Sequence, residues 1–201
     1  MSKLHECEVA TLRPTQITVG MIEVHDKRRH LEHLGHHERR DYLAAHAMPA
    51  VFGPERRLYL TDHHHLARAL WDVGIATGFF LVEADFTELR PRAFWIAMEA
   101  RQWVHPIDAA GKRHGVDALP AHAKGLVDDP YRSLAGYVRD AGGYEKTPTA
   151  YAEFQWADFF RRRVRIGSDR AGFEAAVRRA LELAHSAAAS TLPGFLRAAT
   201  G

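Results

Sequence analysis

The chain has 201 residues, 46% hydrophobic and 26% charged, with a formal net charge of +2. That length suits one domain, or a core domain with an extension, and a single cysteine, Cys7, excludes both an internal disulfide framework and a CxxC zinc site. Met1–Glu8 has no apolar signal core, and no stretch approaches the roughly 18 apolar residues of a membrane helix; the expectation is a soluble cytoplasmic protein with no membrane partner. Charge is unevenly placed: residues 1–88 hold 10 Lys/Arg against 13 Asp/Glu, and residues 89–201 hold 17 against 12. The basic second half permits an anionic partner without demanding nucleic acid. Nothing around Cys7 is arranged to activate a thiolate.

In chain order, Pro14 restricts Arg13 to extended geometry, and the alternation from Gln16 to Val24 predicts a strand or extended segment broken at Gly20. The charged run His25–Glu32 reads as a loop or a helix start. Tyr42, Leu43 and His46 stand at helical offsets within Glu38–Ala47, and Met48-Pro49 closes that helix. Ala50–Phe52 and Leu58–Leu60 flank Gly53-Pro54 as a hairpin. A helix follows from about His63 to Val73 with Leu66, Ala67, Leu70 and Trp71 on one face and Gly74 as its C-cap. Phe79–Phe86 suits another strand. Strands interleaved with helices over residues 1–88 predict a small α/β or α+β core.

From Pro91 the pattern becomes helical. Phe94, Trp95, Met98 and Trp103 mark a helix to about Val104, and Ile107–Asp129 is punctuated by proline and glycine and reads as irregular. Pro130–Ala141 carries Leu134, Tyr137 and Val138 on one face. Thr149–Arg163 brings Tyr151, Phe154, Phe159 and Phe160, and Ser168 or Asp169 caps a last helix to about Ala188 with Phe173, Val177, Leu181 and Ala184 as its stripe.

Chemistry concentrates at Leu58–Leu70, where a short apolar run gives way to Asp62, three consecutive histidines and helical spacing. A strand that feeds a polar turn into a helix N-terminus offers backbone N–H groups and the positive end of the helix dipole, which together make an anion site. Thr61 or Asp62 can cap the helix, and His63, His64 and His65 can face phosphate oxygens or hold a metal. The alternative is that Asp62 serves as an N-cap and the histidines as packing or surface residues.

Leu12–Gly20 resembles the opening box of the ParB and sulfiredoxin superfamily, and Leu58–Leu70 resembles its second box, usually Asp-Gly-His-His-Arg-x-x-Ala after a strand. The subgroup most similar in pattern is that of ParB-like nucleases with an Asp-x-His-His core. Further likeness lies in Asp128–Ala135 and Tyr151–Arg161. The resemblance implies an α/β (α+β) ParB/sulfiredoxin-like core over residues 1–88 and an α-helical C-terminal extension over residues 89–201, packed on the core. It also implies that the second box holds the phosphates of a nucleotide or of nucleic acid.

Asp62, His64 and His65 match that box. His63 stands where glycine is usual and Leu66 where arginine is usual, which limits backbone approach to a phosphate and removes a bidentate ligand. Arg68, two residues later, can replace it only if the helix turns it inward. The sulfiredoxin cysteine has no counterpart. In kinase-like members a glutamate after the first box is the general base, and Glu23 sits at the comparable place. The resulting expectation is a phosphotransferase or phosphohydrolase using Mg²⁺ with ATP or ADP as phosphate donor. Glu23, His64 and His65 would be its catalytic groups, with Thr61, Asp62, His63 and Arg68 around the phosphates. The alternatives are a nuclease acting on DNA or RNA and a non-catalytic nucleotide- or peptide-binding module.

Other clusters compete. Strand-Asp-His-His is also similar to the DHH phosphoesterases, but only Asp26 and Asp41 precede the junction and neither lies in an Asp-x-Asp pattern. His33 and His37, within the cluster of His30, His33, His36 and His37, share a face at helical spacing, as a zinc or nickel pair or as a solvated helix face. Asp128-Asp129-Pro130 reads first as turn and cap chemistry. Arg161–Arg165, preceded by Trp156, Phe159 and Phe160, offers either a basic and aromatic surface for single strands or a helix end whose aromatics are core.

Overall fold

The computed structural model describes residues 4–197, so the first three residues of the amino-terminal stretch lie outside the described residues. Contacts divide the chain into two compact units, Met1–Asp128 and Asp129–Gly201. The first begins with β1 (Leu4–Glu8), β2 (Leu12–Arg13), β3 (Thr18–Val19), α1 (Met21–His33) and α2 (His36–Ala45). It continues through β4 (Met48–Phe52), β5 (Leu58–Leu60), α3 (His64–Val73), β6 (Thr77–Asp85), α4 (Pro91–Ala100) and β7 (Val127–Asp128). The second holds α5 (Pro130–Asp140), α6 (Ala152–Arg161) and α7 (Arg170–Ala184). Among the described residues no helix is long and apolar enough to cross a membrane.

The main sheet has the order β1-β6-β4-β5-β2, with β1/β6 and β4/β5 antiparallel and β6/β4 and β5/β2 parallel. This is a mixed α/β architecture, as the interleaved pattern predicts. Period-2 alternation sorts the two faces of the sheet. Met48, Ala50, Leu58 and Leu60 pack with Val24 and Leu31 of α1, Leu43 of α2, and Leu66, Ala67 and Leu70 of α3. On the opposite face Val51 and Tyr59 pack with Phe94 and Met98 of α4. Helix α4 thus belongs with the sheet, so the first compact unit extends to residue 128 rather than ending at the change of pattern at 88.

The predicted hairpin forms, pairing Ala50, Val51 and Phe52 with Leu60, Tyr59 and Leu58. Helix α3 ends where the sequence places its stop: Gly74 adopts φ +77° and its N–H returns to the carbonyls of Leu70 and Trp71. Two expectations fail. Met21–Val24 is helical rather than extended, because Gly20 is an N-cap and the charged run that follows is the body of α1. Helix α4 stops at Ala100, before the left-handed Gln102, short of Val104.

In the second unit the buried faces follow the predicted stripes only in part: Val177 and Leu181 of α7, and Tyr151 and Phe154 at α6, are half-buried. Helix α5 buries Leu134, Ala135 and Val138, α6 buries Trp156, Phe159 and Phe160, and α7 buries Phe173, Ala176, Ala180 and Ala184. Trp156 stacks on Tyr144 at 4.3 Å between centroids, and the Tyr144 hydroxyl donates to the Ala135 carbonyl at 3.0 Å. Phe159 and Phe160 are therefore core. Asp169, not Ser168, caps α7, which ends at Ala184 rather than near Ala188; the cap accepts the N–H of Gly172 at 2.7 Å.

Candidate functional site

Strand β5 is buried along its whole length, so the sheet fixes where the chain emerges at Thr61. The Thr61 N–H donates to the Pro49 carbonyl at 3.0 Å, and its hydroxyl donates to the Glu83 carboxylate on β6 at 2.5 Å. Asp62 is exposed, with its carboxylate accepting the N–H of His63 at 2.6 Å. His63 takes the left-handed conformation, φ +60° and ψ +28°, and is itself the N-cap of α3. Neither Thr61 nor Asp62 caps the helix, contrary to the sequence expectation, because the sharp reversal needs a left-handed residue at that position. This explains why glycine suits it; a histidine there carries a strain of about 1 kcal/mol. Its Nδ1 donates to the His46 carbonyl at 3.3 Å.

His64 does not face outward. It is 4% exposed, and its Nε2 accepts the backbone N–H of Thr15 at 3.1 Å. The hydroxyl of Thr15 donates to the Leu60 carbonyl at 2.6 Å, so the histidine nitrogen is an acceptor and the ring is neutral with its proton on Nδ1. The catalytic role expected for His64 becomes positional: it ties the first box to the second. Replacing His64 by Ala leaves the Thr15 N–H unsatisfied beside a cavity and should cost about 2–3 kcal/mol. Urea melts check this; His64→Phe, which restores volume but not the acceptor, should recover only part of it.

His65 makes the parallel contact, accepting the Gly20 N–H on Nε2 at 2.9 Å. Two consecutive histidines thus hold both ends of residues 15–20. Glu23, in the first turn of α1, lies with Oε1 3.6 Å from the same Nε2, and the two side chains are 18% and 12% exposed. While Nε2 accepts from Gly20, this contact sets a carboxylate beside a lone pair and is no ordinary ion pair. Sequence spacing alone does not reveal Asp128, 107 positions from its partner, whose carboxylate accepts the Met21 N–H at 2.9 Å and so anchors the start of α1. Pairing of β3 with β7, Val19 opposite Asp128, brings it there.

Arg68 is turned along α3 toward its C-terminal end, away from the Thr61–His63 turn. Its Nε donates to Asp72 at 2.9 Å, and Nη1 donates to the carbonyl of Leu126. The i,i+4 acid and the Leu126 carbonyl that follows the Ala123–Gly125 turn draw the guanidinium down the helix, so it does not replace the missing arginine. Leu66 is 4% exposed and packs in the core.

The model of a family described as "Putative ParB-like nuclease" matches residues 5–162, spanning both boxes and α5 and α6. The chain belongs to this ParB-like family. It is similar also to a solved structure, protein Atu1540 from Agrobacterium tumefaciens, at 40% identity over 98% of both chains with a TM-score of 0.88. No curated protein matches the chain.

Within the ParB-like fold the remaining clusters resolve as structure. His33 ends α1 and His37 lies in α2, so the break at Gly35 removes their shared helix face. Among the described residues no group of three or more His, Cys, Asp or Glu side chains could hold a metal ion. Asp129 caps α5 by accepting the Tyr131 N–H at 3.0 Å, and pairs with both terminal nitrogens of Arg161 at 3.1 and 2.7 Å. Arg163 lies over Phe159 at 4.1 Å, and Arg162, Arg163 and Arg165 are the exposed arginines of that run. A groove of about 590 Å³ lies by Leu58, at the other end of β5 from the turn, with Cys7 in its lining. Burial, then the charge of Glu6, pushes the Cys7 thiol up to about 11, which leaves it unreactive at neutral pH.

Proposed function

We propose that this ParB-like protein binds the phosphates of a nucleotide at the Thr61–His65 turn and catalyses phosphoryl transfer or hydrolysis there. The observation that carries the reading is the placement of Glu23, a largely buried carboxylate 3.6 Å from His65 in the first turn of α3. A helix N-terminus attracts phosphate oxygens, and a carboxylate held close to it is suited to accept a proton. The family likeness and the two boxes support the same reading.

The chemistry follows for hydrolysis of ATP. A water oxygen bonds to the terminal phosphorus, and the bond from that phosphorus to the bridging oxygen breaks. The leaving diphosphate keeps the electron pair, while the water proton passes to Glu23 and then to solvent. Transfer to an acceptor hydroxyl uses the same steps with that hydroxyl in place of water. His65 orients Glu23, and His64 and Thr15 hold the first box in place. Magnesium would supply charge neutralisation on the phosphates, and exposed Asp62 is the carboxylate at the turn suited to hold it, since magnesium usually takes one or two carboxylates with substrate phosphates.

Thermal melts with ATP or ADP and magnesium test the binding, followed by product assays. A ligand at 100 times its Kd should stabilise the protein by about 2.7 kcal/mol; no shift with any nucleotide would remove the reading. The family's description favours a second reading, cleavage of DNA or RNA by the same residues. That reading expects a gel shift that weakens steeply with salt. Stabilisation by a mononucleotide without turnover would instead make the protein a binding module.

A further inference from the structure

We propose that the imidazole of His46, stacked on Tyr42, is the platform on which the base of the bound nucleotide lies. The inference deepens the phosphate reading and rests on it. Helix α2 ends at Ala45, and at His46 the chain turns toward β4. The His46 Nδ1 donates to the Tyr42 carbonyl at 2.8 Å, and its ring sits 4.1 Å from the Tyr42 ring with the planes 28° apart. Tyr42 is braced in turn by the edge of His30 at 4.7 Å and by the core of the first unit. Two contacts thus fix the orientation of the His46 ring before any ligand arrives.

His46 is nevertheless exposed. Tyr42 covers one face, so the exposed area belongs to the other face and the edge. A fixed, flat, half-covered ring is suited to stacking, because the entropy of ordering it is already lost on folding. Two bonds place it beside the turn. The His46 carbonyl accepts from His63 Nδ1 at 3.3 Å, and the Pro49 carbonyl accepts the Thr61 N–H at 3.0 Å. A ligand that carries both phosphates for the turn and an aromatic group for the ring would meet both features; that combination is a nucleotide. A stacking face reads no base edge, so adenine and guanine should be held alike, consistent with the sequence tolerance of stacked bases.

Calorimetry with the full chain separates the two claims by using ATP and inorganic triphosphate as probes. Wild type should bind ATP more tightly than triphosphate. His46→Ala should weaken ATP by about tenfold and leave triphosphate unchanged, while His46→Phe, which keeps a ring on Tyr42, should bind ATP as wild type does. The platform is overturned if His46→Ala leaves ATP affinity intact, if it weakens both probes equally, or if wild type binds the two equally; triphosphate binding by wild type then still upholds the phosphate reading. Wild type binding neither probe overturns both.

Discussion

Glu23→Gln should lower turnover by about 10²- to 10⁴-fold, the usual contribution of a positioned general base, while changing nucleotide affinity only a few-fold. The amide has the shape of the carboxylate but cannot accept the proton of the attacking group. Stability should stay level or rise. In the wild type Oε1 faces, at 3.6 Å, a His65 nitrogen whose lone pair already accepts from Gly20. A variant that is equally or more stable yet inactive is the signature of a group placed for chemistry at the expense of the fold. Unchanged turnover in Glu23→Gln would eliminate the role, and with it the catalytic part of the function.

Asp129→Ala should destabilise the second unit by about 3–5 kcal/mol, the range for removing one partner of a buried ion pair. Asp129 is 3% exposed and Arg161 21%, and their contact is bidentate. Burial disfavours the charged Arg161, but the hydrogen bond and charge of Asp129, with Asp158 adding to them, outweigh it and raise the guanidinium above its ordinary value. Removing Asp129 takes the bidentate partner from that guanidinium, leaving it beside Asp158 at 3.4 Å and the Tyr131 ring at 4.8 Å, and also deletes the N-cap of α5. Asp129→Asn keeps a capping oxygen and loses only the charge, so it should cost distinctly less. Urea unfolding of both variants measures the difference; equal losses would mean that the ion pair, not the cap, holds this end of α5.

Much of the fold was legible because local rules and packing agree. The hairpin around Gly53-Pro54, the stripe and Gly74 stop of α3, and the amphipathic faces of α5 and α7 all follow from spacing that the core then uses. The failures have local causes. Gln16–Val24 alternates like a strand, yet only Thr18–Val19 is one, because the N–H groups of Gly20 and Met21 find acceptors on His65 and Asp128 and α1 starts there. Hydrophobic period carries no record of so distant a cap.

The candidate site divides in the same way. Sequence by itself determined the family, the strand-to-helix turn and the concentration of titratable groups at Asp62–His65, since these depend on neighbours along the chain. Tertiary structure decided which groups face the turn. It buried His64 against Thr15, set His65 against Gly20 and beside Glu23, drew Arg68 toward Asp72 and Leu126, and gave His63 the left-handed position. The physical reason is that a side chain's role is set by the donor or acceptor it meets. For His64, His65 and the N-terminus of α1 those partners lie from 45 to 107 residues away, where no local pattern reaches.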